Sequence, residues 1–146
     1  MPDCCAGCVF WQTLRGASDE TGRDRWAHRT EQSFGPWGRM LRDGDAVLGL
    51  LQYGPAQAFP RAQVLPAGPP DRDAALITCA YVSGGDAAGA IERLVLEALA
   101  DVKGRGMAAI EAFAVRSLIS SIGVICNQIK SGCILYMWLH VKSMPP

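Results

Sequence analysis

The region from Ala74 to Val115 constrains the fold most, because it predicts a strand, a turn, a helix and a second strand in unbroken order. Residues 74–82 form a short, almost wholly apolar run rich in β-forming residues, which is typical of a strand buried on both faces. Residues 107–115 have the same character. Because a helical pattern separates the two runs, we predict a βαβ unit whose strands are parallel neighbours.

The turn of this unit, residues 83–90, contains three glycines and no side chain larger than Asp. Apolar residues behind it recur at helical spacing and predict a helix over about 88–103. A glycine-rich turn before a helix exposes unpaired N–H groups that can hold phosphate, although glycines also serve turn geometry alone. Two more specific phosphate-binding motifs are excluded. Ala90 and Ile91 stand where a P-loop needs Lys and Ser or Thr, and Asp86 stands where a dinucleotide fingerprint needs glycine.

The runs 76–82 and 110–114, with the turn and helix between them, resemble the acetyl-coenzyme A core of the GNAT N-acetyltransferase superfamily. Upstream, residues 5–12, 47–55 and 59–62 resemble a little-studied bacterial branch of that superfamily. The resemblance covers residues 4–116. It implies an α/β chain with a mixed α+β sheet and the acyl-CoA N-acyltransferase fold.

The resemblance also implies a function, the transfer of an acetyl group from acetyl-CoA, as cosubstrate, to a primary amine by direct attack. It assigns Glu111 as general base and Tyr81 as a candidate acid; the alternatives are an exposed strand position for Glu111 and a core aromatic for Tyr81. The implied cosubstrate contacts are Cys79, Ala80, Tyr81 and Val82 for pantetheine, and Gly84, Gly85, Ala87, Ala88, Gly89 and Ala90 for pyrophosphate. The alternative function is a non-catalytic acyl-CoA-binding module or an inactive, truncated acetyltransferase. Asp86 favours it, because its charge would repel a pyrophosphate.

The length and charge of the chain limit the classes of partner that it can bind. A chain of 146 residues predicts one domain, and Lys plus Arg equals Asp plus Glu at 14 each. This balance argues against nucleic acid and against a membrane surface, and favours a small molecule as partner. The resemblance implies that this partner is a small-molecule or peptide amine acceptor. A homodimer is kept as an alternative to a monomer. The N-terminus shows no basic region followed by an apolar run, so we expect a cytoplasmic location.

Six cysteines are present, of which Cys4, Cys5 and Cys8 cluster near the N-terminus. Cys5 and Cys8 have the spacing of a zinc or redox pair, but the sequence contains no second such pair. We therefore predict no metal site, and in a reducing compartment no disulfide framework.

The remaining segments predict further elements of a mixed sheet. Residues 9–12 predict a first strand, residues 21–34 an amphipathic helix, and residues 39–53 a hairpin. The proline-rich residues 54–73 predict a long loop that is either a lid or a disordered excursion. Within it, Phe59 either covers an acceptor pocket or anchors the loop.

Residues 117–146 differ in composition from the rest of the chain. They contain no Ala, Asp, Glu or Arg and hold five Ile, against three in everything before. The GNAT resemblance ends at residue 116, so we divide the chain into a core, residues 1–116, and an atypical tail, residues 117–146. Our hypothesis is a frameshifted, fused or mispredicted end, and a fold that lacks the usual C-terminal helix and strand pair.

Overall fold

The computed structural model describes residues 7–15, 19–83 and 87–113. Over these residues the chain is a mixed α/β structure with a four-stranded sheet, two α-helices and two short 3-10 helices. In chain order the elements are helix α1 (Glu20–Phe34), strands β1 (Gly38–Asp43) and β2 (Ala46–Pro55), 3-10 helices Ala56–Ala58 and Pro60–Val64, strand β3 (Ala74–Val82), helix α2 (Ala87–Gly104) and strand β4 (Ala109–Ala112). The two predicted helices and the predicted hairpin are confirmed.

The sheet has the order β1-β2-β3-β4. β1 and β2, and then β2 and β3, pair antiparallel, whereas β3 and β4 are parallel and are joined through α2. The predicted parallel neighbours are therefore confirmed. β4 is shorter than the predicted run 107–115, because Met107 and Phe113 lie outside the strand. Residues 114–115 and the predicted tail lie outside the described residues.

Polar and glycine residues set both ends of α1. Asp19 has extended backbone and its carboxylate accepts a hydrogen bond from the N–H of Gly22 at 2.9 Å, as an N-cap does. At the other end Gly35 has a φ of 91°, which glycine adopts readily, and its N–H donates to Glu31 O. Between these caps Trp26 and Thr30 are buried, as their four-residue spacing predicts.

Two hydrophobic cores lie on opposite faces of the sheet. The α2-side core consists of Leu51, Tyr53, Ala75, Leu94, Ala98, Val102 and Ile110. The aromatic core consists of Trp11, Trp26, Ala56, Phe59, Ala62 and Leu76. Successive strand residues face opposite ways, so the assignment of Ala75 to one core and Leu76 to the other shows that the sheet separates them.

The predicted first strand at residues 9–12 is wrong. Val9 O accepts hydrogen bonds from the N–H groups of Gln12 and Thr13, both at 3.1 Å, so this segment is a turn. Its apolar residues are nevertheless buried. Trp11 is 3% exposed and stacks on Phe113, with ring centroids 5.9 Å apart and planes 14° from parallel. The apolar pattern identified burial correctly but did not determine the backbone conformation.

The segment between β2 and β3 is part of the aromatic core. Phe59 is fully buried, and Ala56 and Ala62 on either side of it are fully buried as well. Trp26 of α1 donates its indole N–H to Ala58 O at 2.8 Å, which ties the segment to that helix. Of the two predicted roles for Phe59, anchoring of the loop is therefore confirmed, and covering an acceptor pocket stays a prediction.

Asp101, near the end of α2, joins this helix to the first two strands. Its Oδ1 contacts the Arg39 guanidinium of β1 at 2.7 Å. Its Oδ2 accepts a hydrogen bond from the Tyr53 hydroxyl of β2 at 2.6 Å and contacts Arg105 at 2.6 Å. Arg105 in turn donates to Phe34 O and Pro36 O, where α1 ends. One carboxylate thus fixes α2 against β1, β2 and, through Arg105, α1.

This cluster changes the ionisation of both acidic members. Burial alone would raise the pKa of Asp101, but hydrogen bonds from Tyr53 and Arg105 and the charges of Arg105 and Arg39 together lower it. Burial raises the pKa of Tyr53, and the hydrogen bond to Asp101 raises it further. The ionised Asp101 carboxylate and the neutral Tyr53 phenol are therefore the forms that the fold stabilises.

Phe59→Ala should lower the free energy of unfolding by about 3–5 kcal/mol, because it leaves a cavity in the aromatic core. Val64→Ala is a matched control on the same segment, since the Val64 side chain is 64% exposed. It should change stability by no more than about 0.5 kcal/mol. Urea denaturation of both variants measures the difference. Equal, small effects would show that the segment does not contribute to the core.

Asp101→Asn should lower the free energy of unfolding by about 2 kcal/mol at neutral pH, because it removes a charge that three hydrogen-bonding partners share. The folded-state pKa of Asp101 lies below its ordinary value of 3.8. Its contribution is therefore complete above that value and disappears as the pH falls through the lower folded-state pKa. Denaturation curves from neutral to acidic pH should show the parent and variant converging in acid. Asp45→Asn, in the exposed hairpin turn, is the control, and a gap that persists in acid would contradict this assignment.

Candidate functional site

Strand β3 is the element on which the predicted site depends. It pairs with β4 only from Ala74 to Ile77, and the last pair of that ladder is Ile77 with Ala112. β3 then continues to Val82 with β2 as its partner. Among the described residues, no strand pairs with residues 78–82 on the side where β4 lies. This edge carries backbone groups that an extended ligand can pair with.

Thr78 lies where both ladders are interrupted. On the β2 side the register passes from Gln52–Cys79 to Tyr53–Ile77, so Thr78 is one extra residue and forms a β-bulge. On the β4 side the ladder has already ended at Ile77. Among the described residues, Thr78 therefore has no register partner on either β2 or β4. Bulges of this kind commonly occur beside active sites, where they redirect a side chain or terminate pairing.

The packing of β3 shows the effect of the extra residue. Leu76 and Cys79 are three residues apart, yet both pack with the aromatic core. Ile77 and Ala80 are also three apart, and both pack with the α2-side core. In a regular strand, residues three apart face opposite ways. The bulge has shifted the alternation by one residue.

The four residues predicted to hold pantetheine follow the bulge directly. Cys79, Ala80, Tyr81 and Val82 are all half-buried, and their register partners on β2 are Gln52, Leu51, Leu50 and Gly49. The strand end is fixed by Ser83, whose N–H donates to Leu48 O at 2.8 Å and whose hydroxyl donates to Val47 O at 3.1 Å. The structure therefore brings these four residues together on one anchored strand segment.

The residues predicted to hold pyrophosphate fall into two groups. Gly84, Gly85 and the neighbouring Asp86 lie outside the described residues. Ala87, Ala88, Gly89 and Ala90 form the first turn of α2. The N-terminal turn of an α-helix lies at the positive end of its dipole. The described half of the predicted turn thus has the backbone geometry that suits an anion.

A groove of about 420 Å³ runs along the outer surface of α2. Its lining consists of Gly89, Glu92, Arg93, Leu96, Glu97 and Ala100. Gly89 is the only predicted site residue among them. Arg93 in this groove is paired with Glu97 at 3.1 Å. The groove therefore does not include the strand segment at the end of β3.

The two predicted catalytic side chains are not close together. Glu111 pairs with Leu76 in the parallel ladder, five residues from Tyr81 along β3, which is roughly 16 Å of strand. The Glu111 carboxylate accepts from the N–H of Asp71 at 3.3 and 3.4 Å, just before β3 begins. Tyr81 lies beyond the end of the β3–β4 ladder and pairs with Leu50.

In the part of the chain that the structure describes, three buried side-chain atoms have no hydrogen-bond partner: Gln12 Oε1, Gln52 Nε2 and Thr78 Oγ1. Gln52 and Thr78 are 8% and 3% exposed, respectively. They are neighbours, because Gln52 is the register partner of Cys79, the residue after Thr78. Sequence reasoning missed both. The available signal was a single polar residue within each apolar strand, at 52 in the run 47–53 and at 78 in the run 74–82.

The cysteines give no sign of a metal centre in the described ranges. Neither Cys8 nor Cys79 forms a disulfide bond, while Cys4 and Cys5 lie outside the described residues. Within those ranges no group of three or more His, Cys, Asp or Glu side chains could hold a metal ion. The same part of the chain contains no helix with the length and apolar character needed to cross a membrane.

Comparison with known proteins found no matching family model, no matching curated protein and no matching solved structure.

Proposed function

We propose that this chain is an N-acetyltransferase of the GNAT type, which moves an acetyl group from acetyl-CoA to a primary amine. The observation that carries the proposal is the bulge at Thr78, after which β3 continues with no partner among the described residues on its β4 side and leads to a glycine-rich turn and a helix. A strand edge that begins beside a parallel partner and leads to a helix start can hold a long ligand with an extended arm and an anionic end.

The backbone of residues 79–82 suits the extended arm of coenzyme A. The arm contains amide groups, and a strand edge that no described strand pairs with, as at residues 80–82, offers N–H and C=O groups to such a chain. The half-buried state of Cys79 and Val82 supports this role, because a partly dry edge strengthens each hydrogen bond to the ligand. The first turn of α2 would hold the pyrophosphate through its N–H groups.

The chemistry of the proposed reaction consists mainly of positioning. The amine nitrogen forms a bond to the acetyl carbon while the carbon–sulfur bond breaks, and the thiolate that leaves takes up a proton. Backbone N–H groups beside the bulge would polarise the carbonyl oxygen. A base must accept the proton that the amine loses, and Glu111 is the candidate, directly or through water. Tyr81, near the end of β3, is the candidate acid for the thiolate.

A specific observation favours a second candidate, a non-catalytic acyl-CoA-binding module. The Glu111 carboxylate contacts the Asp71 N–H before the start of β3, instead of the strand segment that follows Thr78. A chain with this arrangement would keep the extended edge and the helix start but lack a base beside the bound thioester. The two candidates share the binding step and differ only in turnover.

Gly89→Val should weaken acetyl-CoA binding about tenfold or more, because a branched side chain in the first turn of α2 blocks close approach to its N–H groups. Gly104→Val is the matched control at the opposite end of the same helix, where an added Cβ meets nothing within 4 Å. It should leave the dissociation constant unchanged. Asp86→Gln should tighten binding by removing a repulsive charge. Isothermal titration calorimetry measures all three, and identical affinities would exclude a pyrophosphate site here.

Glu111→Gln should lower kcat by about 10²–10⁴-fold with little change in acetyl-CoA affinity, if the carboxylate accepts the amine proton. A coupled assay of free thiol release with a panel of primary amines measures turnover in the parent and the variant. Acetyl-CoA binding without acetylation of any amine would select the binding module. Turnover that Glu111→Gln leaves intact would keep the transferase and remove Glu111 as its base.

A further inference from the structure

Gln52 and Thr78 are an unexplained feature of the β2–β3 pair. Gln52 Nε2 and Thr78 Oγ1 are buried and have no hydrogen-bond partner, although the folded chain loses free energy when it leaves a buried polar group unpaired. Neither atom takes part in the Asp101 cluster or in a helix cap. Side chains of this kind that a fold retains at a stability cost are candidates for ligand recognition.

The two groups belong to one location. Gln52 pairs with Cys79, and Thr78 is the bulged residue directly before Cys79. Leu51 and Tyr53, on either side of Gln52, belong to the α2-side core, so the Gln52 side chain faces the aromatic side of the sheet. Cys79 packs with the aromatic core on that same side. The orphaned atoms therefore lie beside the first residue of the proposed pantetheine edge.

The chemistry of the pair limits what it can bind. A carboxamide and a hydroxyl are both uncharged, and each can donate and accept hydrogen bonds. A buried carboxylate or ammonium group would need an opposite charge as partner, which neither side chain supplies. An amide group complements them, because it offers one acceptor and at least one donor.

We propose that Gln52 and Thr78 bind a neutral amide group of a reactant in acetyl transfer. The inference rests on the proposed function. The amide has two sources: the amine acceptor, which would then be an amino-acid amide or a peptide, or the pantetheine arm of acetyl-CoA. Both sources present the same chemistry to the pair, and binding and kinetic measurements separate them.

The first measurement is stability without ligand. Thr78→Val and Gln52→Met replace orphaned polar groups with apolar groups of similar shape, so each should leave the melting temperature unchanged or raise it by about 2–4 °C. Ile77→Val is the control on the same strand, since it removes one methyl group that packs with the α2-side core, and it should lower the melting temperature. A clear fall for both polar variants would show a structural role and overturn the proposal.

The second measurement identifies the ligand with two acceptors that differ only in a carboxamide, leucinamide and 3-methylbutylamine. If the acceptor supplies the amide, the parent should prefer leucinamide in kcat/KM, and Thr78→Val and Gln52→Met should reduce that preference by roughly 10–100-fold. If pantetheine supplies it, the same variants should weaken acetyl-CoA binding by a similar factor in calorimetry. Thr78→Ser, which keeps the hydroxyl, should retain the parent behaviour in either case.

The remaining outcomes separate this inference from the proposed function. Acetyl transfer that continues with an unchanged acceptor preference and unchanged acetyl-CoA affinity in both polar variants would overturn the amide site and leave the transferase intact. Equal losses of acceptor preference or of acetyl-CoA affinity in Ile77→Val would show that general repacking causes the effect. That result would also overturn the amide site. A parent chain that neither binds acetyl-CoA nor acetylates any amine would remove the proposed function, and this inference with it.

Discussion

The carboxylate of Asp101 is the interaction on which the arrangement of the described elements depends. It contacts Arg39 of β1, Tyr53 of β2 and Arg105 at the end of its own helix. A partly buried carboxylate that accepts from three donors fixes the orientation of α2 as well as its distance from the sheet. Apolar packing alone determines orientation less strictly. Because α2 is held in this way at its C-terminal end, its N-terminal turn has a defined position relative to the end of β3.

Different kinds of residue pack on the two faces of the sheet. The candidate site lies between the two cores that stabilise the fold. The α2-side core contains mostly aliphatic residues and is closed by the Asp101 cluster. The aromatic core gathers distant segments, from Trp11 to Phe113, through ring contacts. The unsatisfied polar groups occur where β2 and β3 pass between these cores, at Gln52 and Thr78. The sheet is thus packed on both faces, but the buried polar groups of Gln52 and Thr78 within it have no hydrogen-bond partner in the described ranges.

Much of the architecture could be predicted from local patterns, and the failures have physical reasons. The βαβ unit and the hairpin follow from periodicity and turn residues, and both are confirmed. The burial of Phe59 had a signal that was not used, since Ala56, Phe59 and Ala62 recur every three residues, the period of a 3-10 helix. The bulge at Thr78 had none, because a strand that is apolar on both faces shows no alternation in which a shift could be seen. The direction of the Glu111 carboxylate could not be predicted from local patterns either, because it depends on the N–H of Asp71, 40 residues away in the sequence. The assignments of catalytic and cosubstrate-binding residues remain predictions.

The extra residue in β3 makes the register of the strand, more than the identity of any one side chain, its sensitive property. Ahead of it Leu76 faces the aromatic core, and after it Cys79 does so too. Substitution at any one position alters one side chain, whereas pairing of the same residues without the bulge would turn residues 79–82 over together. Tyr81 would then face α2, and Ala80 and Val82 would face the aromatic side. Related chains should therefore vary freely in composition along this strand, but should lose the bulge only together with its extra residue.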